Sequence, residues 1–98
     1  MLPSDEEEID RVSTVFSALS NPVRLKILLT LSETKRPLHI KAVAKILKMD
    51  YAAVYRHVEV LKETGLLQVF EVGRSRVLSP LYTDLVKQFI QLAKEIRR

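Results

Sequence analysis

Apolar positions recur at helical intervals over most of the chain and turn β-like over one stretch, which predicts helices flanking a β-hairpin. Ile9, Val12, Phe16 and Leu19 step by three, four and three residues, drawing a narrow seam on a helix from about Asp5 to about Leu19. Ser4-Asp5-Glu6-Glu7 has capping-box spacing, with Ser4 as N-cap and Glu7 reaching back, and its acids suit the positive end of that helix. Asn21-Pro22 signals the next start, a side-chain cap followed by a preset backbone angle. The second helix should run to about Ser32. Val23, Ile27, Leu28 and Leu31 line one side, and Leu25 and Leu29 make it apolar nearly all round, so it belongs in the middle of the fold.

After the polar connector 33–37, Leu38, Ile40, Val43, Ala44 and Leu47 support a short extended piece and a third helix to about Leu47. Only Lys48-Met49-Asp50 separates it from a fourth helix, which Asp50 can cap. Val54, Val58 and Leu61 form the buried side of that helix, and Thr64-Gly65-Leu66 reads as a glycine stop with an apolar residue behind it. Helices joined so tightly form either a helix-turn-helix or an ordinary helical hairpin. The next segment favours the first. Leu66 to Glu71 and Arg76 to Ser79 are β-prone around a turn at 72–75, and Pro80 closes the second strand. A last helix from about Tyr82 to Arg97 spaces Leu85, Phe89, Leu92 and Ile96 by four, three and four residues, a second narrow seam. Two terminal helices with such stripes carry more apolar face than a small core consumes. Ile9, Val12, Phe16, Leu85, Phe89, Leu92 and Ile96 therefore read as a dimer interface, the alternative being simple packing onto the body.

Ninety-eight residues make one domain, 1–98, with a core small enough for association with a second copy to help. Without cysteine, neither a disulfide nor a thiolate metal site can form. No apolar run is long enough for a membrane span, and the N-terminus does not read as a signal peptide, so a soluble cytoplasmic protein with no membrane partner is expected. The net charge of +4 conceals an asymmetry. The first ten residues hold five acids and no base, leaving sixteen bases against seven acids, or +9, in residues 11–98. A polyanion such as nucleic acid is the natural partner of that body. Solubility or adaptation to heat through surface charge would produce the same excess.

In a helix-turn-helix the second helix enters the major groove and its N-terminal residues meet base edges. Tyr51, Ala52, Ala53, Tyr55 and Arg56 hold those positions. Arg56 suits guanine or phosphate, the alanines permit close approach and contact with a thymine methyl, and the tyrosine hydroxyls can bond phosphates or bases. A half-buried tyrosine with a wet tip is the competing role. His57 can donate to a phosphate or fill a position between helices. Arg74, Ser75 and Arg76 at the hairpin tip suit a wing laid along the backbone or into a minor groove, although basic turns are also common as solvated loops. His39 and His57 are the only histidines, so no metal and no cofactor are expected. No phosphate-cradling glycine loop, cysteine nucleophile or carboxylate pair in an apolar setting is present, so no catalytic role is expected.

The ordered set "ALSNPVRLKILLTL" (18–31), "HIKAVAKILKMDYAAVYRHVEVLKETGLL" (39–67) and "EVGRSRVLSPL" (71–81) resembles the winged-helix repressors of the ArsR/SmtB type. The match covers roughly residues 12–81 and extends loosely into the last helix. The resemblance implies a homodimer built from the first and last helices that binds an inverted-repeat operator and represses until a signal loosens it. It places Asp50 at the usual serine cap, Tyr51, Ala52, Ala53, Tyr55 and Arg56 at the readout positions, His57 at a frequent histidine and Gly73 to Arg76 at the wing tip. His39 and Lys41 stand where metal-sensing members carry cysteines, and Asp84 lacks a histidine two residues on, so a member that does not sense metal is implied. Lys48 occupies a frequent turn glycine, where a left-handed backbone would cost about 1 kcal/mol.

The expected fold is therefore mainly α (α+β), a winged helix-turn-helix. Its helix-turn-helix spans about 40–64, its two-stranded β-wing about 66–80 and its dimerisation helices about 5–19 and 82–97. The expected function is a homodimeric, sequence-specific regulator of transcription on double-stranded DNA in a prokaryotic nucleoid. A low-specificity architectural DNA-binding protein and a protein-interaction module of a transcription complex are the alternatives.

Overall fold

The computed structural model describes residues 5–96. Its elements are α1 (Glu6–Leu19), α2 (Pro22–Thr34), β1 (Leu38–His39), α3 (Ile40–Leu47), α4 (Tyr51–Glu63), β2 (Leu67–Val72), β3 (Ser75–Pro80) and α5 (Thr83–Ile96). Helix α1 is capped one residue later than expected: Asp5 is the N-cap, and its carboxylate accepts from the Glu8 N–H at 2.7 Å. Ser4 and Arg97, assigned a cap and a helix end from sequence, lie outside the described residues.

The start of α2 follows its signals closely. The Asn21 amide oxygen accepts from the N–H groups of Val23 at 2.8 Å and Arg24 at 3.2 Å, and Pro22 holds the first helical position. The helix runs two residues beyond Ser32, ending at Lys35 in the left-handed region (φ 60°). Ile27, Leu28 and Leu31 are buried. Around them pack Ile40, Val43 and Ala44 of α3, Val54, Val58 and Leu61 of α4, and Leu66, Leu67 and Leu78 from the sheet and its approach. The terminal helices add one buried residue each, Ala18 and Val86. Val86 shows that α5 anchors on a face other than its predicted seam, with Ile90 one turn further on packed partly against the core.

The turn between α3 and α4 uses a Schellman closure, with the Met49 N–H donating to the Ala44 carbonyl at 3.0 Å across a left-handed Lys48 (φ 57°, ψ 48°). The same closure ends α4, where Leu66 N–H reaches Leu61 O at 2.9 Å, but there Gly65 takes the positive φ. Asp50 occupies the N-cap of α4 as expected. Its carbonyl accepts from the Val54 N–H at 3.1 Å, yet its carboxylate makes no capping hydrogen bond, so the side-chain cap expected of it is not formed. The first-turn amides of α4 stay open to other acceptors.

The hairpin is tighter than the predicted four-residue turn. Val72 pairs with Ser75, leaving Gly73-Arg74 as the connection, with the positive φ on Gly73 that a two-residue turn of the II′ kind requires at its first position. A third strand, β1, joins this wing on its other side, giving the order β1-β3-β2, with Leu38 opposite Leu78 and His39 opposite Val77. Two residues are too short for alternation to be legible, so the pairing emerges only once β3 lies alongside. Among the described residues, no helix is long and apolar enough to cross a membrane.

Because an L-residue at the Lys48 position carries a left-handed backbone penalty, Lys48→Gly should raise unfolding stability. The gain should be about 0.5–1 kcal/mol after the extra freedom of glycine in the unfolded chain is deducted, read as the shift in urea midpoint at constant m-value. A loss of stability would mean that the Lys48 side chain contributes more than its backbone costs.

Candidate nucleic-acid interface

With Val54, Val58 and Leu61 turned into the core, the 100° step of the helix sorts the first two turns of α4 into three rails. Ala52 and Arg56 lie opposite the buried side and are exposed. Tyr51 and Tyr55 form a second rail, their rings stacked 6.4 Å apart at 12°. Ala53 and His57, both half-buried, form the third. The sequence-predicted readout residues thus share one end of one helix but do not share one face.

The tyrosine rail is met by the wing. The Arg76 guanidinium lies 4.9 Å from the centre of the Tyr55 ring, its Nη1 donates to the Tyr51 hydroxyl at 3.5 Å, and its Nε sits 3.9 Å from the Glu71 carboxylate. The hydrogen bond to Tyr51 and then the neighbouring Tyr55 raise its pKa further, on a guanidinium that is always charged. Tyr55 also packs partly against the core, the half-buried role that an aromatic with a polar tip can fill. Arg76 therefore joins wing to helix, while Arg74 stands exposed at the turn. Arg74 and Arg56 make no hydrogen bond or ion pair with another described residue.

The histidine rail is met by a residue that sequence reasoning passed over. Arg24, near the start of α2, donates from Nε to the Ala18 carbonyl at 2.6 Å and from Nη2 to the Ser17 carbonyl at 3.1 Å, and its Nη1 lies 3.2 Å from His57 Nδ1. A guanidinium can only donate, so Nδ1 accepts and the ring proton sits on Nε2. One side chain thereby ties the last turn of α1 to the recognition helix. Its only sequence signal is an arginine among the apolar residues of α2. Burial first, then the charges of Arg24 and Arg56, lower the His57 pKa from 6.5.

The seams of the terminal helices remain largely outside the core. Phe16 is 58% and Leu92 56% exposed, and Ile9, Val12, Leu85 and Ile96 are likewise exposed, whereas Phe89 is half-buried. The two stripes meet where the rings of Phe16 and Phe89 stand 6.1 Å apart. Among the described residues, no three His, Cys, Asp or Glu side chains cluster as a metal site would require.

A family model for a helix-turn-helix domain matches residues 19–69. The chain is 34% identical over 91 residues to the HTH-type transcriptional regulator NmtR of Mycobacterium tuberculosis, covering 93% of this chain and 73% of that protein. Its fold is similar to the homodimeric winged helix-turn-helix DNA-binding domain of Mb0332 from Mycobacterium bovis, a possible ArsR-family regulator. That likeness has a TM-score of 0.82 at 23% identity, over 100% of this chain and 94% of that one. An ArsR-like transcriptional regulator from Rhodococcus sp. RHA1 is similar with a TM-score of 0.70 at 26% identity, over 90% of this chain and 81% of that one.

Burial of His57 beside Arg24 gives a signed pH dependence. The folded state disfavours protonated His57, so the unfolded chain takes up the proton first. The contribution to stability is complete above the unfolded pKa and is lost as pH falls through the lowered folded value. Thermal unfolding of wild type should drop from pH 7 to pH 5 more than that of His57→Asn, whose amide oxygen can accept in place of Nδ1. Parallel curves would remove His57 from the linkage.

Proposed function

Because this chain belongs to the ArsR family of winged helix-turn-helix transcriptional regulators, we propose that it acts as a homodimeric repressor that reads an inverted-repeat operator. The observation that carries this reading is the outward rail of α4. Arg56 stands exposed, without a hydrogen bond or ion pair, one turn after the small, exposed Ala52, which is the combination that lets a helix lie close in a major groove and present a bidentate donor to guanine. Tyr51, Ala53, Tyr55 and His57 border that rail, and Arg74, Ser75 and Arg76 extend the cationic surface along the wing. The reading assigns no catalytic role and places the protein in the cytoplasm of a prokaryotic cell, on the nucleoid.

Dimerisation completes the reading. The exposed seams of α1 and α5 form one continuous apolar strip through Phe16 and Phe89. Ile9, Val12, Phe16, Leu85, Phe89, Leu92 and Ile96 would be covered by the same strip of a second copy, as an isologous interface requires. The homodimeric state of the Mb0332 domain supports this assignment. His39 and Lys41 in place of cysteines support a signal other than a thiolate-bound metal.

Fluorescence anisotropy of a duplex from upstream of its own gene against an unrelated duplex, each at two salt concentrations, tests the function. The upstream duplex should be preferred and the preference should survive higher salt. Equal, steeply salt-dependent binding would make the protein architectural, and no binding to either would make it a protein-interaction module. Arg56→Ala should cost about 1–3 kcal/mol on the preferred site and relax selectivity at one base pair in a binding-site library. Phe89→Asp should yield a monomer mass by light scattering; a dimer mass would move the interface elsewhere.

A further inference from the structure

A cleft of about 130 Å³ opens between the start of α3, the first turn of α4 and the tip of the wing, lined by His39, Lys41, Tyr51, Arg74, Ser75 and Arg76. That is ample for water or for one compact polar group. No carboxylate lines it. Lys41 and Arg74 make no hydrogen bond or ion pair with any described residue, so their charges face the cleft or solvent rather than a protein acid. Because Arg76 donates to the Tyr51 oxygen, the phenolic proton of Tyr51 is left to donate elsewhere, and the Ser75 hydroxyl can do the same. His39 caps α3 without a side-chain hydrogen bond to its amides, and the pairing of His39 with Val77 holds that helix start at a set distance from β3. Cations and donors thus converge from three elements on one volume, and of the cations only Arg76 has an acidic partner, Glu71.

We propose that this cleft seats one phosphate-class oxyanion, with Lys41 supplying the counter-charge and the Tyr51 and Ser75 hydroxyls supplying directed hydrogen bonds. Resting on the reading that the chain binds DNA, the occupant is a backbone phosphodiester of the strand that passes between α3 and the wing. A free phosphate-like anion has the same chemistry and is the alternative source. Two consequences follow for known positions. Lys41 enters the DNA contact surface although it lies outside the recognition helix, and Tyr51 positions the backbone rather than reading a base.

Two measurements on the full chain test this. In the first, binding to a mixed-sequence duplex is followed by anisotropy across a salt series for wild type, Lys41→Gln and Tyr51→Phe. Lys41→Gln should reduce the slope of log K against log salt by about 0.9 for each bound protomer, and Tyr51→Phe should weaken binding to every duplex equally. In the second, inorganic phosphate is titrated into the DNA-free protein while backbone amides are followed by NMR. Shifts confined to residues 39–41 and 73–76, and lost in Lys41→Gln, would identify a free anion as an occupant. A wild-type chain that bound no duplex would overturn the DNA reading, and the phosphate titration alone would then decide the cleft. An unaltered slope together with no cleft-confined shifts would overturn the proposal.

Discussion

Helix α2 is apolar over most of its surface, with Lys26 and Glu33 its exposed charged residues, and that constraint bears on everything around it. Ile27, Leu28 and Leu31 are covered by α3, α4 and β3. Leu25 and Leu29 point elsewhere and are half-buried against the α5 side of the molecule. Burial of apolar surface has no direction of its own, but a helix this central decides which faces of its neighbours turn inward. Once Val54, Val58 and Leu61 of α4 are committed to α2, the Ala52 and Arg56 rail has to face out. The outward surface of α4 is in this sense what remains after the core has been packed.

The same helix carries the polar connection between the two ends of the molecule. Arg24 closes two carbonyls in the last turn of α1 and meets His57 on α4. These carbonyls belong to the helix terminus, where the macrodipole favours a cation, and Ser17 O also accepts from the Ser20 N–H and hydroxyl. A displacement of α1 would therefore be felt at the third rail of the recognition helix. On the opposite rail, Arg76 holds the wing against Tyr51 and Tyr55. The recognition helix is clamped from both sides by arginines, and Arg56 between them is the one left to the outside.

Much of this was legible along the chain because its causes are local. Caps, the Pro22 start, the Gly65 stop and the 3.6-residue repeat act within a few residues of one another, and they place α1, α2, α3 and α4 close to where the structure has them. The exceptions are also local in cause. Asp5 supplies the side-chain cap of α1 while the carboxylate of Asp50 does not cap α4, because a suitable residue type at a helix start permits a hydrogen bond without orienting it. The seam on α5 was read as an apolar face turned away from the core, and Leu85, Leu92 and Ile96 are exposed, but its spacing alone could not reveal that Val86 and Ile90 would supply the contact with the core. A helix with two apolar faces does not say which one its neighbours will choose.

What the sequence determined by itself was the succession of helices and hairpin, the cationic body and the cluster of Tyr51, Tyr55 and Arg56 in the first turns of α4, all set by periodicity, turn chemistry and charge. Only the tertiary structure decided which of those residues face outward and which are engaged. Arg76 reaches Tyr51 across 25 residues and Arg24 reaches His57 across 33. β1 joins a wing whose central strand comes almost forty residues later in the chain. Contacts over such separations leave no periodic trace, because they arise from where α2 forces the packed elements to lie rather than from any pattern within them.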